Sequence, residues 1–367
     1  MVIEKPMRID PWGSQILKDY DELFKKFGIS KLPEEMRTSS HHFAFERNIV
    51  IGHRDFEKVF KRIQDKQPFI NMTGIASSGE LHFGHKVILD LFSFFKKCGA
   101  KNYLAICDID GYVSRPDEKV PSLKKAKEFA CDNLSHALAL GLDPKDVYVQ
   151  SRKEPRYYEF ALEISKKITA NTFKAIYGHL DPGKLSACLL QYADILHPQL
   201  EEYEGPMPSI TVIGFDQDPH IRATRDLAQR LPYNFELPSV LFNQHLSGLQ
   251  AGIKMSKSVA GSAIFLSDIP DDAAKKIMAS FDGGRDTAEE QRKLGGQPHM
   301  CKVYEFMKFN YESSKDLKQM YENCITGKFL CNECKLMRAD FVRKFMEQHH
   351  KKLERTRETA RKIIYGT

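Results

Sequence analysis

His82-Phe83-Gly84-His85 places two imidazoles three residues apart around a glycine, and Lys254-Met255-Ser256-Lys257-Ser258 places two ammonium groups and two hydroxyls within five residues. At a helix start the first pair falls on one face, close to backbone N–H groups and the positive dipole end that favour a phosphate. The glycine lets a ligand approach the backbone. The lysines stand between Gly252 and Gly261 in a stretch that reads as a loop. Mobile cations with hydroxyl donors suit a phosphate that gains charge as it reacts. A third group is Cys301, Cys324, Cys331 and Cys334, in the spacing C-x(22)-C-x(6)-C-x(2)-C. Four thiols ending in C-x-x-C can surround one soft metal centre, and zinc and an iron–sulfur cluster both suit that donor set.

The elements that must carry these groups alternate. Pro68 to Thr73 reads as a buried strand, the loop Gly74 to Glu80 follows, and a helix begins near His82 with Val87, Leu89, Leu91, Phe92 and Phe95 as its apolar face. Tyr103 to Cys107, Val147 to Val149 and Ile210 to Gly214 read as further strands, with helices over Ser122 to Leu140 and Pro219 to Leu231. Strand–helix alternation predicts a parallel sheet covered on both faces, whose ligands lie at the carboxyl ends of its strands. The expected fold is therefore α/β: a Rossmann-like parallel-sheet catalytic domain over 67–270 with a helical insertion at about 155–205. A helical C-terminal domain over 271–367 follows it, and an accessory segment over 1–66 precedes it.

The chain has 367 residues and a formal charge of +6. Lys335 to Thr367 holds ten basic and four acidic residues, so the whole excess lies on the last helix pattern and the rest is balanced. A basic face beside a four-cysteine module predicts an RNA partner. No run reaches the length of a membrane span and the start lacks an apolar signal core, so a cytoplasmic protein with no membrane contact is expected.

The pair H-x-G-H and K-M-S-K-S, about 170 residues apart, resembles the two signatures of class I aminoacyl-tRNA synthetases. Gly214-Phe215-Asp216-Gln217-Asp218-Pro219-His220 resembles the G-x-D-Q-x-x-H pattern of the tryptophanyl and tyrosyl enzymes. The run from Gly283 to Gly296, G-G-R-x-T-x-E-E-Q-R-x-x-G-G, is similar to a stretch of the archaeal and eukaryotic tryptophanyl branch. The resemblance spans about residues 68 to 367. It implies activation of L-tryptophan by ATP and Mg2+ through an aminoacyl adenylate, with pyrophosphate released and the amino acid passed to tRNA(Trp).

Under that resemblance His82, His85, Lys254, Ser256, Lys257 and Ser258 carry catalysis, while Gly74, Ser78, Gly84, Gly214, Asp216, Gln217 and Met255 contact ATP. Gln191 and Gln217 would hold the substrate amino group, with Thr73 also in the tryptophan site. Asp194 is the expected acceptor for the indole N–H. A carboxylate would equally accept a phenol O–H, so Asp194 alone does not separate tryptophan from tyrosine. Where the eukaryotic pattern has a Tyr and a Gln for the indole nitrogen, this chain has Met72 and Ala105. Either Asp194 takes that role, as in bacterial members, or Asp110 and Tyr112 contribute. The resemblance further implies a [4Fe-4S] cluster on the four cysteines, zinc being the alternative, and a homodimer through the helical insertion. Competing readings are a tyrosine–tRNA ligase, a metabolite nucleotidyltransferase, and a non-catalytic RNA-binding protein on a decayed synthetase body.

Overall fold

Strand β3 (Phe69–Ala76) lies inside the molecule: every residue of Phe-Ile-Asn-Met-Thr is buried, as a strand covered on both faces requires. The structure, a computed structural model, describes residues 20–179, 181–250, 261–311 and 313–366. Lys254, Met255, Ser256, Lys257 and Ser258 lie outside those residues.

Among the described residues seven strands form one sheet in the order β1-β2-β7-β6-β3-β4-β5, comprising β1 (Ser30–Lys31), β2 (Val50–Arg54), β3, β4 (Ala100–Cys107), β5 (Val147–Val149), β6 (Ser209–Gly214) and β7 (Ser239–Asn243). From β7 to β5 every pairing is parallel, as the alternating pattern predicts; β1 and β2 add antiparallel to the β7 edge. Residues of the N-terminal segment thus extend the sheet. Arg54 on β2 ties them in by pairing with the fully buried Asp218 at 2.9 Å.

The helices in chain order are α1 (Tyr20–Phe27), α2 (Glu34–Ser39), α3 (Phe43–Glu46), α4 (Phe56–Gln64), α5 (Phe83–Lys97), α6 (Asp108–Val113), α7 (Leu123–Ala139), α8 (Pro155–Ser165), α9 (Ala170–Tyr177), α10 (Pro182–Leu196) and α11 (Asp218–Arg230). The C-terminal set follows as α12 (Pro270–Met278), α13 (Ala288–Leu294), α14 (Lys302–Asn310), α15 (Ser314–Ile325) and α16 (Cys331–Tyr365). Helices α8 to α11 build a core of their own around Tyr157, Phe160, Phe173 and Tyr192.

The long helix α16 is not an appended tail. Ala339, Val342, Met346, His349, Leu353, Ala360 and Ile364 are its buried residues. They fall three, four or seven residues apart, the spacing of one helix face. That face packs into the same apolar core as the sheet, against α7 and α12. The basic residues take the other face, some in exposed ion pairs such as Arg343 with Asp271 and Lys344 with Asp340, both at 2.7 Å. Pairs of that kind contribute little to stability; the buried stripe holds the helix. Gly366, at φ +78°, ends it by donating its N–H to Lys362 O at 2.8 Å.

Candidate active site and thiol cavity

The H-x-G-H turn caps α5. His82 Nδ1 accepts the Gly84 N–H at 3.1 Å and His85 Nδ1 accepts the His82 N–H at 3.1 Å, a reciprocal box made by two imidazoles. Backbone N–H groups expected to face a phosphate are therefore already bonded. With Nδ1 accepting on each ring, the proton of the neutral imidazole sits on Nε2, so each histidine presents a donor at its far end. Gly84 is required by closeness: a Cβ there would stand 2.9 Å from two atoms of the His82 ring.

Phe83, 1% exposed, anchors the turn from below. Its ring lies 5.0 Å from that of Phe306 on α14 and 5.2 Å from that of Phe345 on α16, so the C-terminal helices directly support the histidines. The chain that follows residues 251–260 also reaches the turn. Leu249 N bonds Ser262 O at 3.0 Å, and Ile264–Leu266 pairs with Leu81–Phe83 through Phe83 N to Ile264 O at 3.2 Å and Leu266 N to Leu81 O at 2.9 Å. Residues 262–266, which follow the stretch 251–260 outside the described residues, are thus tied both to Leu249 before it and to the H-x-G-H turn.

At the carboxyl ends of β6 and β7, Asp216 and Gln217 meet a residue that sequence reasoning passed over. His245 Nε2 stands 2.7 Å from Asp216 Oδ1, and Gln217 Nε2 donates to Asp216 Oδ2 at 3.0 Å. The His245 ring occupies the space over Gly214, where a Cβ would stand 2.2 Å from its Cε1. No local pattern around His245 signals this; only the adjacency of β6 and β7 does. His220 of the same G-x-D-Q-x-x-H run turns inward instead and stands 2.8 Å from Tyr177 Oη.

Asp194 is 2% exposed at the end of α10 and receives Tyr148 Oη, Tyr157 Oη and Gln150 Nε2 at 2.6–2.7 Å. Burial pushes its carboxyl up to about 6, against the pull of those three donors. Met72, Ala105 and Cys107 form an apolar patch with Ile70 nearby, and Thr73 is buried on β3. Asp110 is also pushed up by burial and holds Ser114 Oγ at 2.9 Å, while Tyr112 is 37% exposed. Gln191 is half-buried one turn before Asp194; Gly74 and Ser78 lie at and just beyond the end of β3.

The four cysteines line one cavity, contributed by the start of α14 (Cys301), the end of α15 (Cys324) and the first turn of α16 (Cys331, Cys334). All four are free thiols. The glycine-rich run from Gly283 supplies the other wall. Gly296 leaves room for Cys324 Sγ, 2.8 Å from where its Cβ would be, Gly284 does the same for Cys331 at 3.3 Å, and Gln291 Nε2 donates to Cys331 Sγ at 3.3 Å. Among the described residues, however, no three His, Cys, Asp or Glu side chains form a group that could hold a metal ion as placed. The expected ligand set is met as a shared cavity and not as a closed site. Burial, with the neighbouring acidic groups, holds Cys324 up at about 11 and Cys331 at about 12, so both are protonated near neutral pH and would release a proton on binding a metal. The donor chemistry, four sulfurs in one apolar cradle, fits a thiophilic centre.

A family model described as tRNA synthetases class I (W and Y) matches residues 64–347. The tryptophan–tRNA ligase of Aeropyrum pernix is 38% identical over 97% of this chain and 98% of its own length, and that of Methanocaldococcus jannaschii is 37% identical over 99% of both. A crystal structure of tryptophanyl-tRNA synthetase from Aeropyrum pernix superposes with a TM-score of 0.87, covering 96% of this chain and 98% of that one. A Plasmodium falciparum tryptophanyl-tRNA synthetase, 24% identical, shares the fold with a TM-score of 0.83.

Proposed function

The chain belongs to the class I tRNA synthetases for tryptophan and tyrosine, and we infer that it joins L-tryptophan to tRNA(Trp) at the expense of ATP, releasing AMP and pyrophosphate. The observation that carries the choice of amino acid is full-length identity of 37–38% to tryptophan–tRNA ligases.

The tryptophan carboxylate attacks the α-phosphorus of ATP in line, forming the adenylate as pyrophosphate leaves; the tRNA terminal hydroxyl then attacks the carbonyl carbon and AMP departs. Positioning and charge stabilisation carry such a reaction. His82 and His85 contribute Nε2–H donors to the triphosphate. Lys254 and Lys257, with Ser256 and Ser258, stabilise the charge that builds on it, and Met255 lies between them. Gly74, Ser78, Gly84 and Gly214 lie on the ATP side of the site, Gly84 and Gly214 by making room for the His82 and His245 rings, while Asp216, held by Gln217 and His245, has the acceptor chemistry to take hydroxyl protons of the nucleotide. Asp194 takes the indole N–H, and Gln191, Gln217, Thr73, Asp110 and Tyr112 surround the rest of the amino acid. Mg2+ bound with ATP would supply neutralisation of phosphate charge.

Cys301, Cys324, Cys331 and Cys334 would hold a [4Fe-4S] cluster or zinc, and such a centre would supply a crosslink between α14, α15 and α16. The reading draws on their shared cavity and its glycine wall. The division into 1–66, 67–270 and 271–367 stands as one of functional units, the last facing the anticodon with the exposed basic side of α16. A cytoplasmic homodimer through the helical insertion completes the reading; Leu162 on α8, 67% exposed, is an apolar side chain on that surface.

The test is charging of tRNA(Trp) transcript with labelled tryptophan. Acceptance of tryptophan supports the reading, and charging of tRNA(Tyr) with tyrosine in its place overturns it.

A further inference from the structure

Asp194 is held by donors from outside its own helix. Oδ1 accepts from Tyr148 Oη at 2.7 Å and from Tyr157 Oη at 2.6 Å, and Oδ2 accepts from Gln150 Nε2 at 2.7 Å. Gln150 is itself fixed. Its Oε1 accepts the Asp110 N–H at 3.1 Å, which turns the amide nitrogen toward Asp194, and its backbone carbonyl accepts Tyr158 Oη. Behind the tyrosines the Lys153 ammonium lies 4.7 Å from the ring centres of Tyr148 and Tyr203 and 5.8 Å from that of Tyr157. A cation over those rings offsets the buried anion beyond them and strengthens the phenol hydroxyls as donors.

A carboxylate oxygen offers about two acceptor directions. Both on Oδ1 are occupied. On Oδ2 one is taken by Gln150, and the remaining contact is the Cys107 thiol at 4.0 Å, a weak partner. Cys107 is the last residue of β4, at the carboxyl end of the strand where ligands of open α/β sheets bind, and it closes a buried apolar cluster that runs back along the strands through Ala105 and Met72. A buried apolar cluster beside an acceptor direction held only by a weak thiol donor matches a flat ring whose single polar atom is a stronger donor.

We propose that Tyr148, Tyr157 and Gln150 are positioning residues that set tryptophan specificity, committing three of the four acceptor directions of Asp194 and leaving one, on Oδ2 beside Cys107, for the indole N–H. The proposal rests on the reading that Asp194 faces the substrate ring. It also accounts for rejection of tyrosine. Both tyrosine hydroxyl protons already point at Asp194, so a phenol oxygen that gave its proton to Oδ2 would find neither hydroxyl donating back.

The test is pyrophosphate exchange with tryptophan and with its benzothiophene isostere, which replaces the N–H by sulfur and keeps the two-ring shape. For the unaltered chain kcat/KM should favour tryptophan on the order of 10- to 100-fold, the worth of a hydrogen bond to a charged acceptor. In Tyr148→Phe and Gln150→Met that preference should shrink about threefold or more, because only tryptophan depends on the oriented acceptor. Equal losses for both substrates, leaving the ratio unchanged, mark a merely structural role and overturn the proposal. So does equal use of the two by the unaltered chain, a comparison that needs no variant to fold and leaves the ligase reading standing. No exchange with tryptophan at all would bring down both.

Discussion

Acid should weaken tryptophan binding through one group. Asp194 is fully enclosed, its carboxyl pushed up to about 6 by burial and held from rising further by Tyr157, Tyr148 and Gln150. On the proposed reading its ionised form accepts the indole N–H, whereas the protonated form adds a proton among three donors and loses that acceptor. With a midpoint near 6 the ionised fraction is about nine tenths at pH 7 and about one tenth at pH 5, so tryptophan affinity should fall about tenfold across that range, about 1.4 kcal/mol. The assay is equilibrium binding of tryptophan from pH 8 to 5, run beside the benzothiophene isostere, whose affinity should stay nearly level. A flat tryptophan curve, or parallel loss for both ligands, refutes the assignment of Asp194. The sign for folding is opposite. A carboxyl raised in the folded state adds relative stability below about pH 4 that is lost as pH rises through about 6, so the ionised carboxylate costs the fold on the order of 3 kcal/mol at neutral pH.

Gly84→Ala should slow adenylate formation on the order of 10- to 100-fold while tryptophan affinity holds, because the new Cβ drives the His82 ring off its cap; single-turnover rates and tryptophan titration check the two halves. Truncation after Cys334 should abolish folding and not only tRNA affinity, since it removes Val342, Met346, Leu353, Ala360 and Ile364 from the core. Ile364→Ala alone should cost about 2–5 kcal/mol in urea unfolding. Cys331→Ser should lower bound metal and thermal stability together, read by elemental analysis and a melting curve; unchanged metal content would remove Cys331 from the ligand set. Below pH 6.5 the fold should lose stability through His136, His197, His220 and His349, which burial holds down at about 3 to 4. The unfolded chain takes up their protons first, at a cost approaching 1.4 kcal/mol per group per pH unit, so urea midpoints at pH 7 and 5.5 should differ in that direction.

Local signals were legible in the sequence. The strand before His82, the glycine within H-x-G-H and the helix after it lie within some thirty residues, and periodicity alone places them. The parallel run of strands followed from alternation, but Ser239–Asn243 escaped notice because five residues after Pro238 carry no period, and β1 and β2 because their pairing with β7 is long-range. Counting charges on α16 hid its buried stripe: ten basic residues drew attention from seven at helical spacing on the opposite face. The donors around Asp194 come from β5, α8 and the turn between them, so no linear motif could assemble them. The run from Gly283 to Gly296 stood out as a family likeness, whereas its physical work, clearing space beside Cys324 and Cys331, appears only when α15 and α16 are in place.

Amino-acid-dependent pyrophosphate exchange tests the central claim most directly. With ATP and Mg2+ present, tryptophan should drive exchange and tyrosine should not, and Lys257→Ala should suppress it with little change in tryptophan affinity. Exchange driven by tyrosine and indifferent to tryptophan would contradict the account.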